Sequence, residues 1–156
     1  PDAPSGNWSK VGEVGVISFE VDDQTPEDLA VGIEILRASE GVLDVVQTPV
    51  TGKKGRLTIS VRVLCRVEAV DRVVEVCMLQ TTTIGLRWRV EQRVELVREN
   101  VKLKASGVSF GAKTVLRPDG ETTVKVDMDA LATRGGTQRD RTRRRRLAEG
   151  SQDDDR

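Results

Sequence analysis

The sequence contains no histidine and no tyrosine, and only two cysteines, two phenylalanines and two tryptophans among 156 residues. The missing histidine removes Ser–His and Cys–His nucleophilic machinery and every imidazole metal site. A bound metal would need oxygen ligands, which suit Mg²⁺ or Mn²⁺. Cys65 and Cys77 lie twelve positions apart without CxxC spacing, and they read as small buried core residues. No apolar run approaches the ~18 residues of a transmembrane helix, and PDAPSGNWSK at the start lacks an apolar signal segment. A cytoplasmic protein without a membrane partner is therefore expected. There is also no excess of one charge: 25 basic residues balance 25 acidic ones. The global electrostatic case for nucleic acid is absent, and no nucleic-acid partner is expected.

What is present is Val, Leu and Ile in short runs, a sheet-rich composition. Val14–Val21 reads as a first strand after a polar leader at 1–10. Thr25 can cap a helix that opens on Pro26, with Glu27 and Asp28 in its first turn and Leu29, Ile33 and Leu36 at helical spacing. Val42–Val50 reads as a strand, and Pro49 hints at a sheet edge. GKKGR at 52–56 makes a turn. Leu57–Cys65 alternates as a strand, and 67–80 returns to helical spacing. From Leu86 to Val97 the alternation is cleanest. Leu86, Trp88, Val90, Val94 and Leu96 fall on one side, predicting a dry face, with charged residues on the other. Segments 101–105, 108–116 and 122–128 stay β-like around a turn at RPDG, 117–120, and predict hairpins added to the main sheet. These bounds give one domain over 11–132. From Thr133 apolar residues nearly vanish, and 133–156 is expected to be a disordered charged tail.

The order β-α-β-β-α-β predicts an α+β, ferredoxin-like fold: one antiparallel sheet in spatial order 4-1-3-2 with both helices on one face. In that order three polar segments share one rim. DDQTPE at 22–27 supplies carboxylates, GKKGR supplies cations, and TTTIG at 81–85 supplies hydroxyls and amides. The helix opening at Thr25 adds free backbone amides that favour anions. At a strand spacing of about 4.8 Å the rim spans roughly 10–15 Å, a size suited to a nucleotide polyphosphate with a divalent ion. Read separately, each segment also has an ordinary structural role as helix entry, hairpin turn or connection.

VDDQTPEDL, GVLDVVQTPVTGKKGR, the VLC at 63–65 and TTTIGLR resemble, in order and spacing, the C-terminal domain of the nickel insertion protein family LarC. The family pattern runs close to N-I-D-D-M-T-P-E, then A-L-D-V…T-P-I-x-M-K-K-x-R, V-L-C and E-T-T-T-I-G-V-R. The resemblance covers residues 14 to about 98, with a weaker echo through Lys113. Glu20 stands where the family has Asn, Gln80 where it has Glu, and Leu57-Thr58 where it has Pro-Gly. The Tyr-containing C-terminal motif is missing.

The resemblance implies a CTP- and divalent-metal-dependent role in nickel insertion during maturation of a nickel-pincer nucleotide cofactor. It implies Mg²⁺ or Mn²⁺ with CTP, and a homo-oligomer. It also implies a His-rich N-terminal domain, here expected to be separately encoded. Thr25, Lys53, Lys54, Arg56, Thr81, Thr82, Thr83 and Arg87 carry over as the nucleotide and phosphate set. Asp22 or Asp23 would ligate the metal while the other caps or orients. Glu20 would either add a ligand or repel a triphosphate. No residue makes a convincing general base, so no catalytic residue is assigned, and nickel finds no His or Cys site in the chain. The competing expectation, from a different class, is a non-catalytic oligomerisation or regulatory module that associates through the strand at 86–97.

Overall fold

A computed structural model describes residues 6–7, 9–105, 108–133 and 135–150. They gather into two compact units, Val11–Arg93 and a second comprising Val94–Arg156 with Pro1–Lys10.

The first unit follows the expected order. Strand β1 spans Ser9–Val21, helix α1 Pro26–Ala38, β2 Val42–Thr51, β3 Leu57–Cys65, α2 Val70–Gln80 and β4 Arg87–Leu96, whose last residues pass into the second unit. The sheet order is β2-β3-β1-β4, with β3 antiparallel to both neighbours. Local chemistry sets the boundaries. Thr25 caps α1 by accepting from the Asp28 amide, Pro26 fills the first turn, and the Ser39 amide closes the last turn on the Leu36 carbonyl. β2 is an edge strand, which is where Pro49 can sit without breaking a ladder. Before α2, residues Val67–Ala69 form a 3₁₀ turn.

One face of β1 and β3 packs on both helices. Ile17, Phe19 and Val21 stand opposite Val63, Val61 and Ile59, and Leu29, Ile33, Leu36, Val73 and Cys77 close over them. Gly32 lets the helices meet: a Cβ at that position would lie 2.4 Å from the Gln80 carbonyl oxygen.

Strand β4 departs from the expected pattern. Its predicted dry face is wet, with Trp88 59% and Val90 41% exposed. The reason is positional. β4 is the other edge strand, and the core under α1 and α2 is built from β1, β2 and β3; only Leu86, just before β4, packs against it.

Both cysteines are fully buried, free and in this core. Burial is the main cause that raises both thiol pKa values, Cys77 to about 12 from an ordinary 9.0. A raised folded-state pKa means the native chain holds its proton more tightly than the unfolded one. This contribution is complete below pH about 9 and is lost as pH rises toward about 12. Denaturant midpoints should therefore fall between pH 8.5 and 10.5 on account of Cys77, and Cys77→Ala should flatten the decline. An equal slope in wild type and variant would refute this cause.

The second unit holds the hairpins. They form a three-stranded sheet of their own, β5-β6-β7, from Arg98–Ala105, Val108–Leu116 and Thr122–Val126, rather than added strands of the first sheet. The RPDG turn closes as expected, with the Arg117 amide donating to the Glu121 carbonyl at 2.7 Å and the Gly120 amide to the Arg117 carbonyl at 3.0 Å. Helices α3, Met128–Ala132, and α4, Gln138–Gly150, complete it. Leu103, Phe110, Ala112, Val126, Leu131 and Ala148 make a separate core.

The stretch 138–150, expected to be disordered, is thus helical. Two features anchor it. Thr137 and Asp140 cap its start reciprocally, the Asp140 amide on the Thr137 hydroxyl and the Thr137 amide on the Asp140 carboxylate. The Thr137 hydroxyl also donates to the Asp140 carboxylate, at 2.7 Å, and this bond together with that from the Thr137 amide holds the Asp140 carboxyl below its usual pKa. At the other end, Ala148 is buried. Residues 134 and 151–156 of the expected tail, and residues 1–5 and 8 of the expected leader, lie outside the described residues. Among the described residues no helix is long and apolar enough to cross a membrane.

Candidate functional site

β1 ends at Val21 opposite Ile59, the third residue of β3. The β2–β3 turn therefore lies beside the Asp pair. Thr58, buried, ties the two by donating its hydroxyl to the Val21 carbonyl at 2.8 Å. The turn itself closes through the Gly52 amide on the Arg56 carbonyl, at 2.8 Å. Within it Lys54 adopts φ 59°, the only left-handed non-glycine backbone among the described residues. That conformation costs about 1–2 kcal/mol and fixes where the two lysines leave the turn.

The three polar segments are joined side chain to side chain. Arg56 Nη2 lies 3.0 Å from Asp22 Oδ2. Thr82 donates its hydroxyl to Asp23 Oδ1. Gln24 is the hub: its Oε1 accepts from the Thr82 amide at 3.2 Å, and its Nε2 donates to Asp28 Oδ2 at 2.7 Å and to the Gln80 carbonyl at 3.3 Å. Arg87 at the start of β4 places one Nη 2.8 Å from both oxygens of Glu20 on β1. These ion pairs are exposed, so each adds well under about 1 kcal/mol to stability. Their information is positional.

Several expected ligand groups are already committed. Thr81 is buried and donates its hydroxyl to the Cys77 carbonyl at 2.8 Å, closing the end of α2, while its oxygen accepts from the Thr83 amide. Thr83 Oγ1 donates to the Gly85 carbonyl. At the opening of α1, Pro26 has no N–H and the Asp28 amide is held by Thr25. Among the amides of that first turn, that of Glu27 alone has no hydrogen bond within the described residues, so fewer are free than the sequence implied. Lys53 and Lys54 are exposed and make no ion pair among the described residues.

The carboxylates do not converge as a cage. Among the described residues no three acidic or cysteine side chains are placed to hold a metal ion. Asp22 faces Arg56, Asp23 faces Thr82 and Glu20 faces Arg87. This donor set fits a hard ion bound through one or two carboxylates and completed by phosphate oxygens and water, the usual Mg²⁺ arrangement. It does not fit a soft-ligand site, because both thiols are buried and protonated.

Sequence reasoning missed Gln24, Thr58 and Gly32. Only Gln24 carried a signal, as a neutral amide between an Asp pair and a helix cap. The other two depend on contacts far away along the chain.

Sheet order and rim together define a class: a small α+β domain that gathers acids, cations and hydroxyls at one end of four antiparallel strands. The chain belongs to the nickel insertion protein family, whose model matches residues 5–139. It is 37% identical over 118 residues to a putative nickel insertion protein of Rhodopirellula baltica, covering 76% of this chain and 30% of that protein. It is 34% identical over 122 residues to the pyridinium-3,5-bisthiocarboxylic acid mononucleotide nickel insertion protein of Acetivibrio thermocellus, covering 73% and 30%. The chain thus spans about a third of the length of these curated relatives. Among solved structures it is similar to LarC2, described as the C-terminal domain of a cyclometallase involved in synthesis of the NPN cofactor of lactate racemase, apo form. That match has a TM-score of 0.72 and 27% identity, covering 80% of this chain and 85% of the other.

Proposed function

We propose that this chain acts in nickel insertion during maturation of a nickel-pincer nucleotide cofactor, as the domain that binds a CTP-type nucleotide with Mg²⁺ or Mn²⁺. The observation that carries this reading is the side-chain linkage of the three rim segments through Asp22–Arg56 and Asp23–Thr82. Lys53, Lys54 and Arg56 neutralise the phosphates, with the Glu27 amide and Arg87 as further donors. Asp22 and Asp23 hold the divalent ion from one side while phosphate oxygens complete its shell. Glu20, already neutralised by Arg87, neither repels the phosphates strongly nor stands free to ligate. Nickel is the cargo, and its soft or imidazole ligands come from outside this chain, from a His-rich partner domain or from the sulfur-bearing cofactor precursor.

Thermal unfolding tests the reading. CTP with Mn²⁺ should raise the midpoint by mass action, by about 2.7 kcal/mol of added stability at a ligand concentration a hundredfold above Kd. ATP should do so less, and CTP without Mn²⁺ less again. Asp22→Ala with Lys53→Ala should abolish the shift. A flat response of the wild-type chain to every nucleotide would sink the proposal.

The second reading, a non-catalytic assembly module, is favoured by one observation: Trp88 and Val90 are exposed on an edge strand. It predicts a sedimentation mass that falls to the monomer on Trp88→Glu. It also predicts no nucleotide response.

A further inference from the structure

The outer face of β5-β6-β7 carries charges that its own fold does not explain. Register sets the arrangement. Lys102 on β5 stands opposite Gly111 on β6, and Asn100 opposite Lys113. Lys113 in turn stands opposite Lys125 on β7. By the two-residue period of a strand, Asn100, Lys102, Gly111, Lys113 and Lys125 share one face. The alternate residues Leu103, Phe110, Ala112 and Val126 are buried in the core on the other. All three lysines are exposed, and none has an ion pair among the described residues. Like charges directly across a ladder are destabilising. Lys113 and Lys125 therefore stand where stability alone would place an opposite charge or a neutral residue.

The same face has a hollow. A concavity of about 300 Å³ is lined by Asn100, Lys102, Gly111, Lys113 and Asp127, with Val101 and Ala112 between them; Lys125 stands beside it, across the ladder from Lys113. Gly111 is its floor: a Cβ built there would meet nothing within 4 Å. Asp127 is the acid at this rim. Its Oδ1 is turned to the Asp129 amide at 3.1 Å, capping α3, and its own amide donates to the Gly111 carbonyl.

We propose that this hollow, built only from residues of the second unit, is a binding site for a small, multiply charged phosphate ligand. Directly opposed residues across a ladder lie about 5 Å apart and diagonal ones about 7–8 Å. Lys102 and Lys113 line the hollow, and the flexible side chain of Lys125, one ladder step from Lys113, is within reach of a di- or triphosphate held there; the Asn100 amide adds a neutral hydrogen-bonding group. The patch has no aromatic platform for stacked bases. It is also too short to track a nucleic-acid backbone, so the ligand is a compact polyphosphate moiety.

Titration calorimetry of the full chain with inorganic tripolyphosphate, without divalent metal and at about 0.15 M ionic strength, tests this. Wild type should bind saturably. Lys113→Gln with Lys125→Gln should weaken binding by about tenfold or more, the loss expected for removing charged hydrogen-bond donors. Without ligand it should melt no lower than wild type, because a repulsion is gone. Gly111→Leu, which fills the hollow and keeps every charge, should weaken binding similarly. Asp22→Ala with Lys53→Ala, at the other site, should leave this binding in place, so failure of either site is visible separately. The proposal is overturned if wild type shows no saturable binding, or if the double Lys variant or Gly111→Leu binds as wild type does.

Discussion

Gly32→Val is expected to destabilise the chain by about 3 kcal/mol, at the upper end of what overpacking costs. The new Cβ alone would sit 2.4 Å from the Gln80 carbonyl oxygen, and that neighbour is backbone, which cannot rotate away. Helix propensity alone predicts the opposite sign, since glycine inside a helix costs about 1 kcal/mol relative to alanine. The crowding wins because α1 and α2 must separate to relieve it. Separation also pulls on the Gln80 carbonyl that accepts from Gln24, so the rim should loosen along with the core. A urea titration should show a lower midpoint with an unchanged slope. A change smaller than about 0.5 kcal/mol, the range of neutral surface substitutions, would show that the helices part without cost.

Phe19→Ala is expected to cost about 3–5 kcal/mol, the range for deleting a buried aromatic ring. Phe19 is 1% exposed and stands opposite Val61 in the centre of the first sheet, among residues from α1 and α2. Its neighbour Glu20 points to the other face and pairs with Arg87, and Asp22 follows two residues later. A cavity here therefore weakens the strand that presents the acidic side of the rim. If two-state urea curves give a loss below about 1 kcal/mol, the core collapses around the gap and the strand does not depend on the ring.

The parts of the fold that were legible in the sequence are those with a short-range cause. Thr25-Pro26 with two acids fixes the start of α1, and alternation over 57–65 fixes β3. RPDG fixes a turn. The dry face predicted for β4 failed because alternation reports that a strand has two kinds of side chain. It cannot report whether a helix lies over the apolar ones. The disordered reading of 138–150 failed for a related reason. An Arg-rich composition hides a capping pair, Thr137 with Asp140, and a single buried alanine.

For the candidate site, the residue types and their shared rim were legible, because a β-α-β-β-α-β order leaves few sheet topologies. The partnerships were not. Nothing local says that Thr81 closes a helix while Thr82 reaches Asp23, since all three threonines read alike in TTTIG.

The sequence by itself determined the elements and sheet order of the first unit, the absence of imidazole chemistry and the resemblance to a nickel insertion family. These follow from periodicity, caps and residue identity, which act within a few positions of the chain. Only the tertiary structure decided which carboxylate meets which cation and which hydroxyls are already committed. It also decided that Gly32 is a contact point and that Lys113 faces Lys125. Apart from the hydroxyls of Thr81 and Thr83, which close on Cys77 and Gly85 nearby in the chain, those depend on residues a dozen or more positions apart brought within about 3–5 Å of one another, and on that scale register and packing, not composition, set the outcome.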